Sequence, residues 1–217
     1  MTTRIGLVHA LHASIAPIEA AFADLWPEAE SVSLFDQSLY VDYNRAGELT
    51  PALTQRVGRL LAYSADTGAD GILFTGSLFG SAVEATRREL SIPVLSAFEA
   101  LVETACARGT RLGVVTTVRD TLTLIRGDLE RHAAANGRQV EIVGRQVEGA
   151  MAALQHGDNS RHDALVARAA VDLAHCDAIL LGQFSMAPVT RHLPPSVATK
   201  TLTSPSAAVI RLRKLLA

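Results

Sequence analysis

The amino-acid sequence predicts an α/β protein made of two pseudo-symmetric lobes, each with a parallel sheet. Short apolar segments that fit buried strands alternate with longer segments of helical spacing, an order typical of parallel strands joined by right-handed crossovers. The chain also repeats itself, because the segment around Asp70 matches the segment around Asp177. Residues 3–9 match residues 110–116 at the same offset, and two matches at one offset indicate a duplicated half.

The duplication sets the expected domain organisation and the expected position of the site. Residues 1–97 together with 200–217 are predicted to form the first α/β lobe, and residues 98–199 the second. In parallel sheets, ligands bind beyond the carboxyl ends of the strands. We therefore expect the site in the cleft between the two lobes, lined by the residues that follow their strands.

The first half contains four expected strands, at residues 4–9, 31–35, 72–74 and 92–95. Helical spacing follows at residues 15–25 and again at 50–67, where Thr50 fits an N-cap and Pro51 fits the first helical position. Further helices are expected at residues 81–90 and from residue 96 onward. Residues 36–43 mix polar and aromatic side chains without a clear period, so we expect a loop over the pocket there.

The second half repeats this order. Its expected strands are residues 112–115 and 140–143, a strand that ends at Gly182, and a short strand at 198–202. The expected helices are residues 121–134 and 161–173 and a closing helix from 204 to 216, which Ser204 and Pro205 would open. Asn136 and Gly137 fit the turn between the first of these helices and the strand that follows it.

Composition narrows the class of protein. A chain of 217 residues and 23.0 kDa with 48% apolar residues can bury a substantial core. A net charge of -2 and a pI near 6.4 argue against a nucleic-acid or membrane-surface partner, since both usually require a basic face. Two isolated cysteines, no signal peptide and no membrane-length apolar run predict a cytoplasmic location.

The expected strand ends carry hydroxyl, amide and imidazole groups rather than charges. Residues proposed to bind the ligand are Ser14, Thr75, Ser77, Thr116, Thr117 and Ser185. Such neutral donors suit a small carboxylate. His9 is a candidate catalytic residue, although a histidine that only caps a loop is at least as common. No P-loop or Gly-x-Gly-x-x-Gly motif follows any strand, and His9 and His12 lack the spacing of a zinc pair, so neither a phosphate-binding loop nor a metal is expected.

These motifs resemble the Asp/Glu racemase superfamily, which also contains hydantoin racemases, maleate isomerases and arylmalonate decarboxylases. The resemblance rests on the duplicated halves, the Thr-x-Ser-x-x-Gly pattern at residues 75–80, the strand end at residues 113–117 and the tip at Ser185. It implies isomerase or lyase chemistry without a cofactor, and an assembly of two or more copies. In the racemases of this superfamily, two cysteines transfer a proton from opposite faces of the substrate carbon.

The sequence departs from that pattern at both cysteine positions. The resemblance assigns them to Gly76 and Gln183, and neither residue can carry a proton at neutral pH. Cys176 precedes Gln183 by a whole strand, roughly 20 Å at about 3.3 Å per residue, and so cannot replace the missing thiol. A glycine at the first position resembles the decarboxylases, which keep one cysteine at the second.

Three explanations of the missing thiols remain open. The chain is an enzyme that uses another proton carrier, a small-acid-binding member without catalysis, or a variant in which the first cysteine was replaced by glycine. Candidate proton carriers for the first case are His9, His12, Asp36, Asp42, Tyr40 and Glu99. Gln183 is expected to contact the ligand or to hold the second tip, which is the loop after the strand that ends at Gly182. Ser77 and Thr117 are expected to donate hydrogen bonds to the ligand carboxylate.

Overall fold

The computed structural model describes residues 2–217 and divides them into two compact units. One unit contains the residues up to Ala100 together with Ala208–Ala217, and the other is Leu101–Ala207. Each unit is a four-stranded parallel sheet flanked by helices, which confirms the predicted α/β class with two parallel sheets. The expected division placed residues 200–217 in the first lobe. The structure differs there, because the strand at Thr201–Thr203 pairs with the second sheet.

The first unit has strand order β2-β1-β3-β4, with every pair parallel. The strands are β1 (Arg4–His9), β2 (Glu30–Phe35), β3 (Gly71–Phe74) and β4 (Val94–Leu95). Its helices are α1 (Ile15–Leu25), α2 (Ser38–Ala46), α3 (Pro51–Asp66) and α4 (Gly80–Thr86), and α5 (Glu99–Arg108) begins in this unit and continues into the second. Shorter 3₁₀ turns lie at His12–Ser14, Ser77–Phe79 and Arg87–Glu89.

The second unit repeats the topology with strand order β6-β5-β7-β8. Its strands are β5 (Arg111–Thr116), β6 (Glu141–Gln146), β7 (Ala178–Leu181) and β8 (Thr201–Thr203). Its helices are α6 (Arg119–Ala135), α7 (Ala150–Gln155), α8 (Asn159–Asp172) and α9 (Pro195–Ala198), and α10 (Ser204–Leu215) begins in this unit and continues into the first. A 3₁₀ segment, Phe184–His192, follows β7.

Residues 36–43 are not the expected loop, because α2 begins within them. Asp36 accepts a hydrogen bond from the Ser38 backbone N–H at 2.9 Å and so favours the turn that starts the helix. Leu39 is fully buried in the core of the unit, and Gly47 ends the helix with φ at 74°. Leu39 is the one buried residue of this nine-residue helix, which gives too weak a period to predict the helix from sequence.

The amino ends of the equivalent strands β1 and β5 are held in the same way. The backbone N–H of Arg4 donates to Asp70 Oδ2 at 2.8 Å, and that of Arg111 donates to Asp177 Oδ2 at 2.8 Å. Hydrogen bonds from the Arg111 and Thr110 backbones lower the pKa of Asp177. The aspartates that reveal the duplication in the sequence therefore fix the start of the central strand in each unit.

Glycines in the two central strands allow helices to pack closely on the sheets. A Cβ at Gly6 would collide with the Ser64 hydroxyl of α3. A Cβ at Gly113 would lie 3.1 Å from Leu173 Cβ and 3.3 Å from Cys176 Sγ. Within residues 2–217, no helix is both long and apolar enough to cross a membrane.

Candidate functional site

The chain changes direction across the first sheet between β1 and β3. From β1 it moves outward to β2, and it then returns to the other side of β1 to form β3. In open parallel sheets, such a switch point lies where ligands bind, beyond the carboxyl ends of the two strands. His9 is the last residue of β1, and Thr75 and Gly76 follow β3. The structure therefore brings these three predicted site residues to one switch point.

His9, Ser14 and Thr75 form a buried polar group, which we call the first cluster. His9 Nδ1 lies 2.9 Å from Thr75 Oγ1 and 3.2 Å from Ser14 Oγ, and the two hydroxyl oxygens are 2.9 Å apart. His9 is fully buried, and Ser14 and Thr75 are nearly so. The other ring nitrogen, Nε2, lies 3.2 Å from Ser33 Oγ on the edge strand β2.

The hydrogen bonds of the first cluster give every polar group a partner. Ser14 donates its only hydroxyl proton to the Leu11 carbonyl oxygen at 2.7 Å, because a carbonyl cannot donate. The Thr75 hydroxyl has three polar partners within reach, Ser14 Oγ and His9 Nδ1 at 2.9 Å and Val8 O at 3.4 Å. His9 Nε2 lies 3.2 Å from the Ser33 hydroxyl, so both ring nitrogens are bonded within the protein.

Burial keeps the His9 imidazole uncharged. Desolvation lowers the pKa of His9 from 6.5 to about 4, so the ring is neutral at pH 7. Both ring nitrogens already have protein partners. His9 is therefore placed to orient Thr75 and Ser14.

Gly76 lies where aromatic side chains fill the space that a side chain would need. An added Cβ would lie 2.7 Å from Phe74 Cε1, 3.0 Å from Phe79 Cδ2 and 3.3 Å from Ala10 Cβ. The rings of Phe74 and Phe79 are buried with centroids 5.7 Å apart, and Tyr43 of α2 packs edge-on against Phe79. The first strand end is thus packed around a glycine.

The second unit has its switch point between β5 and β7, where Thr116, Thr117 and Gln183 form the second cluster. Gln183 Oε1 accepts from the Thr117 backbone N–H at 3.0 Å, and Gln183 Nε2 donates to Thr117 Oγ1 at 2.8 Å. The backbone donor fixes which end of the amide is oxygen. Gln183 therefore contacts its own unit, as expected for a residue that holds the second tip.

The Thr116 hydroxyl is the unsatisfied group of the second cluster. Thr116 is fully buried, and its Oγ1 has no hydrogen-bond partner among residues 2–217. A buried hydroxyl without a partner costs about 1–3 kcal/mol. The hydroxyl at the end of β5 is therefore held at this cost by the packing around it.

The two clusters occupy equivalent backbone positions but differ in side chains. The N–H of Thr75 donates to Val8 O at 2.9 Å, and the N–H of Gly182 donates to Val115 O at 2.9 Å. By this equivalence His9 corresponds to Thr116 and Gly76 to Gln183. A Cβ at Gly182 would lie 2.7 Å from Thr116 Cγ2, so the second tip also depends on a glycine.

Ser77 and Ser185 lie just beyond the clusters. Each is partly buried in the 3₁₀ segment after its strand, Ser77–Phe79 or Phe184–His192. Neither takes part in the hydrogen bonds of the two clusters. Their hydroxyls remain candidates for ligand contact.

Three of the other expected proton carriers are engaged in ion pairs. Arg56 lies 2.8 Å from Asp42 and 3.7 Å from Asp36. Arg87 lies 2.6 Å from Glu99. These three carboxylates are therefore paired with guanidinium groups.

His12 and Tyr40 are the expected carriers without such ion pairs. His12 begins the 3₁₀ turn that follows β1, is exposed, and packs edge-on against Phe35 with ring centroids 6.1 Å apart. Tyr40 is half-buried on α2.

The two cysteines lie inside the cores. Burial raises the pKa of both the Cys106 and the Cys176 thiols, and both residues are almost fully buried. Cys176 precedes β7, whereas Gln183 follows it. Within residues 2–217, no group of three or more metal-binding side chains lies close enough to hold a metal ion.

Two residues that contact the first strand end, Ser33 and Phe79, were not predicted from the sequence. Ser33 contacts His9 because residue 33 and residue 7 are register partners, which places Ser33 on the sheet face toward which His9 turns. The period-two alternation of β2 was the available signal. Phe79 was also missed, since its packing against Gly76 depends on the turn at Ser77–Phe79.

Comparisons with known proteins identify the family. A family model described as Asp/Glu/Hydantoin racemase matches residues 14–212. Among solved structures, allantoin racemase from Klebsiella pneumoniae superposes with a TM-score of 0.72 at 21% identity, covering 99% of this chain and 87% of that chain. A search of curated proteins found no match.

Two further structures share the fold. An aspartate racemase homologue from Pyrococcus horikoshii has a TM-score of 0.70 at 14% identity, and the match covers 100% of this chain and 99% of that chain. A glycine-to-cysteine mutant of arylmalonate decarboxylase, in a sulfate-associated form, has a TM-score of 0.63 at 20% identity. That match covers 98% of this chain and 93% of that chain.

Acid should destabilise the protein partly through His9. The folded-state pKa lies near 4, below the unfolded value near 6.5, so the His9 contribution is complete above pH 6.5 and is lost as the pH falls toward 4. Between pH 7 and 4 the free energy of unfolding should fall by about 3 kcal/mol more in the parent than in His9→Asn, which cannot titrate there. Urea unfolding at several pH values measures the difference, and equal losses would contradict a buried neutral imidazole.

Substitution of Gly76 should lower stability through crowding. Gly76→Ala should reduce the free energy of unfolding by about 1–3 kcal/mol, because the Phe74 and Phe79 rings must shift. Gly80→Ala is the matched control, since a Cβ there has no heavy atom within 4 Å and the residue already has helical dihedrals. Thermal and urea unfolding should show the control unchanged or slightly stabilised. Equal effects of the two substitutions would refute the crowding at Gly76.

Proposed function

Because the chain belongs to the Asp/Glu/Hydantoin racemase family, we propose that it binds a small carboxylate and acts at the carbon beside the carbonyl group. The chemistry is isomerase-like or decarboxylase-like and needs no cofactor. The observation that carries the proposal is the family match over residues 14–212. It is supported by polar clusters at the switch points of both parallel sheets.

The proposed binding groups are neutral. The proposed ligand-binding residues at the first strand end are Ser14, Thr75 and Ser77. Those at the second strand end are Thr116, Thr117 and Ser185. Removal of an α-hydrogen leaves negative charge on the carbonyl or carboxylate oxygens, and fixed neutral donors stabilise that charge as it develops. The unpaired Thr116 hydroxyl supports this role, because it has no competing partner within residues 2–217.

Proton transfer in this chain requires a carrier other than a thiol. Gly76 and Gln183 stand at the family's cysteine positions, and His9 is proposed as a positioning residue because its pKa is lowered and both its nitrogens are bonded. Ion pairs engage the three candidate carboxylates. We therefore assign proton transfer to His12, whose imidazole is exposed beside the end of β1.

A single proton-transfer residue predicts a measurable difference between two rates. His12 takes the α-proton, the C–H electron pair moves into the enolate, and the proton exchanges with water before it returns to carbon. Inversion needs a donor on the opposite face, and no thiol is present there to supply it. Exchange of the α-hydrogen should therefore be faster than racemisation.

A second candidate function is binding without turnover. It is favoured by the packing of Phe74 and Phe79 around Gly76 and by the two hydrogen bonds that tie Gln183 to Thr117. Neither of these two arrangements includes a thiol. The same packing argues that glycine at position 76 belongs to this chain and is not a replaced cysteine.

Hydrogen exchange in heavy water separates the two functions. The EDTA-dialysed protein would be incubated with aspartate, glutamate, allantoin, a 5-substituted hydantoin and an arylmalonate, and loss of the α-proton signal followed by NMR. We expect exchange of at least one of these compounds, reduced by about 100-fold or more in His12→Gln. His175→Gln is the matched control, since His175 is exposed before β7, at the opposite end of a sheet, and should leave the rate unchanged.

Variants that place a cysteine at position 76 or 183 test the alternative of binding without turnover. If the parent is silent while Gly76→Cys, Gln183→Cys or their combination exchanges the α-hydrogen, the chain is a binding protein and the catalytic proposal fails. Because Gly76→Cys also crowds the aromatic rings, Gly76→Ala controls for the loss of stability.

A further inference from the structure

We propose that strand β6 pairs antiparallel with β6 of a second copy of this chain, so that two four-stranded sheets join into one sheet of eight strands. Strand β6 (Glu141–Gln146) is an edge of the second sheet, because β5 is its one strand partner within residues 2–217. An edge strand presents backbone N–H and C=O groups to which a further strand can bind. This contact lies entirely within the second unit and does not depend on the proposed function.

Alternate residues of β6 direct their backbone groups away from β5. The backbone N–H groups of Glu141 and Val147 donate to carbonyl oxygens beside the two ends of β5, at 2.8 Å and 2.7 Å. The parallel pairing with β5 keeps this alternation along the strand, so the odd-numbered residues of β6 bond to β5. Ile142 and Gly144 therefore direct both their N–H and their C=O groups toward the open edge.

A two-fold axis at Val143 uses these outward groups. In an antiparallel pair, opposite residues alternate between hydrogen-bonded and non-hydrogen-bonded positions. When Val143 lies opposite Val143 of the second copy in a non-hydrogen-bonded position, Ile142 lies opposite Gly144 and the two exchange a pair of backbone hydrogen bonds. The backbone groups that β5 leaves free are thus the groups that this register requires.

The same register places opposite charges next to each other. Glu141, Val143 and Arg145 share one face of β6, and side chains directly opposite in an antiparallel pair have Cβ atoms roughly 4.5–5.5 Å apart. Glu141 of each copy therefore faces Arg145 of the other. Both side chains are exposed, and Arg145 makes no ion pair within residues 2–217. The dimer gains two ion pairs related by the axis.

The edge strand of the first sheet lacks this charge pattern. Strand β2 begins with a similar ion pair to its neighbouring strand, because Arg4 lies 3.0 Å from Glu30. The residue four positions after Glu30 is Leu34, whereas β6 has Arg145 at the equivalent position. Two copies of β2 in the same register would place Glu30 opposite an apolar side chain. Charge complementarity therefore favours β6 as the self-pairing edge.

Two guanidinium groups contact the outward carbonyl oxygens of the unpaired edge. Arg126 donates to Ile142 O at 3.4 Å, and Arg145 donates to Gly144 O at 3.1 Å. Both arginines are exposed, so water replaces these contacts at little cost. A strand without a carboxylate opposite Arg145 would meet an unpaired cation. The same side chains therefore favour a second copy of β6 over other strands.

Sedimentation equilibrium of the full chain measures the association, over a concentration series up to the solubility limit at low salt. We expect a concentration-dependent dimer that weakens as salt is added, because exposed ion pairs are screened. Glu141→Arg and Arg145→Glu each place like charges opposite each other, and each should raise the dissociation constant about tenfold or more. Glu30→Arg, which breaks the similar ion pair of the first sheet, is the matched control and should leave association unchanged.

A mixture of the two charge variants separates loss of pairing from loss of folding. Glu141→Arg carries two positive charges on the edge and Arg145→Glu carries two negative charges. The mixture should therefore form a mixed dimer, although each variant alone does not. The double variant has exchanged charges and should associate like the parent. The proposal is overturned if the parent is monomeric at every concentration, if Glu30→Arg weakens association equally, or if the mixture forms no dimer.

Cysteine variants test the register of the two strands. Opposite residues in a non-hydrogen-bonded pair have Cα atoms about 4.5 Å apart, which is within the range of a disulfide. Val143→Cys should therefore form a covalent dimer when diamide takes up the two thiol hydrogens. Gln139→Cys lies away from the axis and should not form one. Equal cross-linking of both variants, or no cross-linking of Val143→Cys in a protein that associates, would overturn the proposed register.

Discussion

A buried, uncharged imidazole organises the carboxyl end of the first sheet. The His9 ring lies at the end of β1, fully out of water, with one nitrogen toward Thr75 and Ser14 and the other toward Ser33. Burial keeps it uncharged by lowering its pKa. Because both ring nitrogens are bonded within the protein, His9 positions the two hydroxyl groups beside it.

The two halves make the same side-chain contacts at the amino ends of their sheets but carry different side chains at the carboxyl ends. At the amino ends, Asp70 and Asp177 hold the first backbone N–H of β1 and β5 at the same distance of 2.8 Å. At the carboxyl ends, the backbone hydrogen bonds still agree while His9 is replaced by Thr116 and Gly76 by Gln183. A common framework therefore carries two different sets of polar side chains.

The parallel sheets were readable from the sequence because their signals are local and strong. Continuous apolar runs such as Ile72–Phe74 in β3 predict buried strands, and the repeat of Asp70 at Asp177 predicts the second sheet. Helix α2 was mispredicted as a loop, because only Leu39 of its residues is buried and its ends depend on Asp36 and Gly47.

The strand ends were predictable in position, but their hydrogen bonds were not. Strand topology places His9, Thr75, Thr116 and Gln183 at the two switch points. The partners of His9 and Ser14 include Ser33 and Leu11 O, which no recognisable motif marks. Likewise, the crowding at Gly76 arises from the Phe79 ring, whose placement requires the turn at Ser77–Phe79.

The protonation state of His9 is the most direct measurement of the central claim. Long-range proton–nitrogen correlation spectra of the ¹⁵N-histidine-labelled protein at pH 7 distinguish a protonated from an unprotonated ring nitrogen. Burial of His9 and its lowered pKa require a neutral ring at pH 7, with one of the two nitrogens unprotonated. A charged imidazolium at that pH, with both nitrogens protonated, would contradict this account.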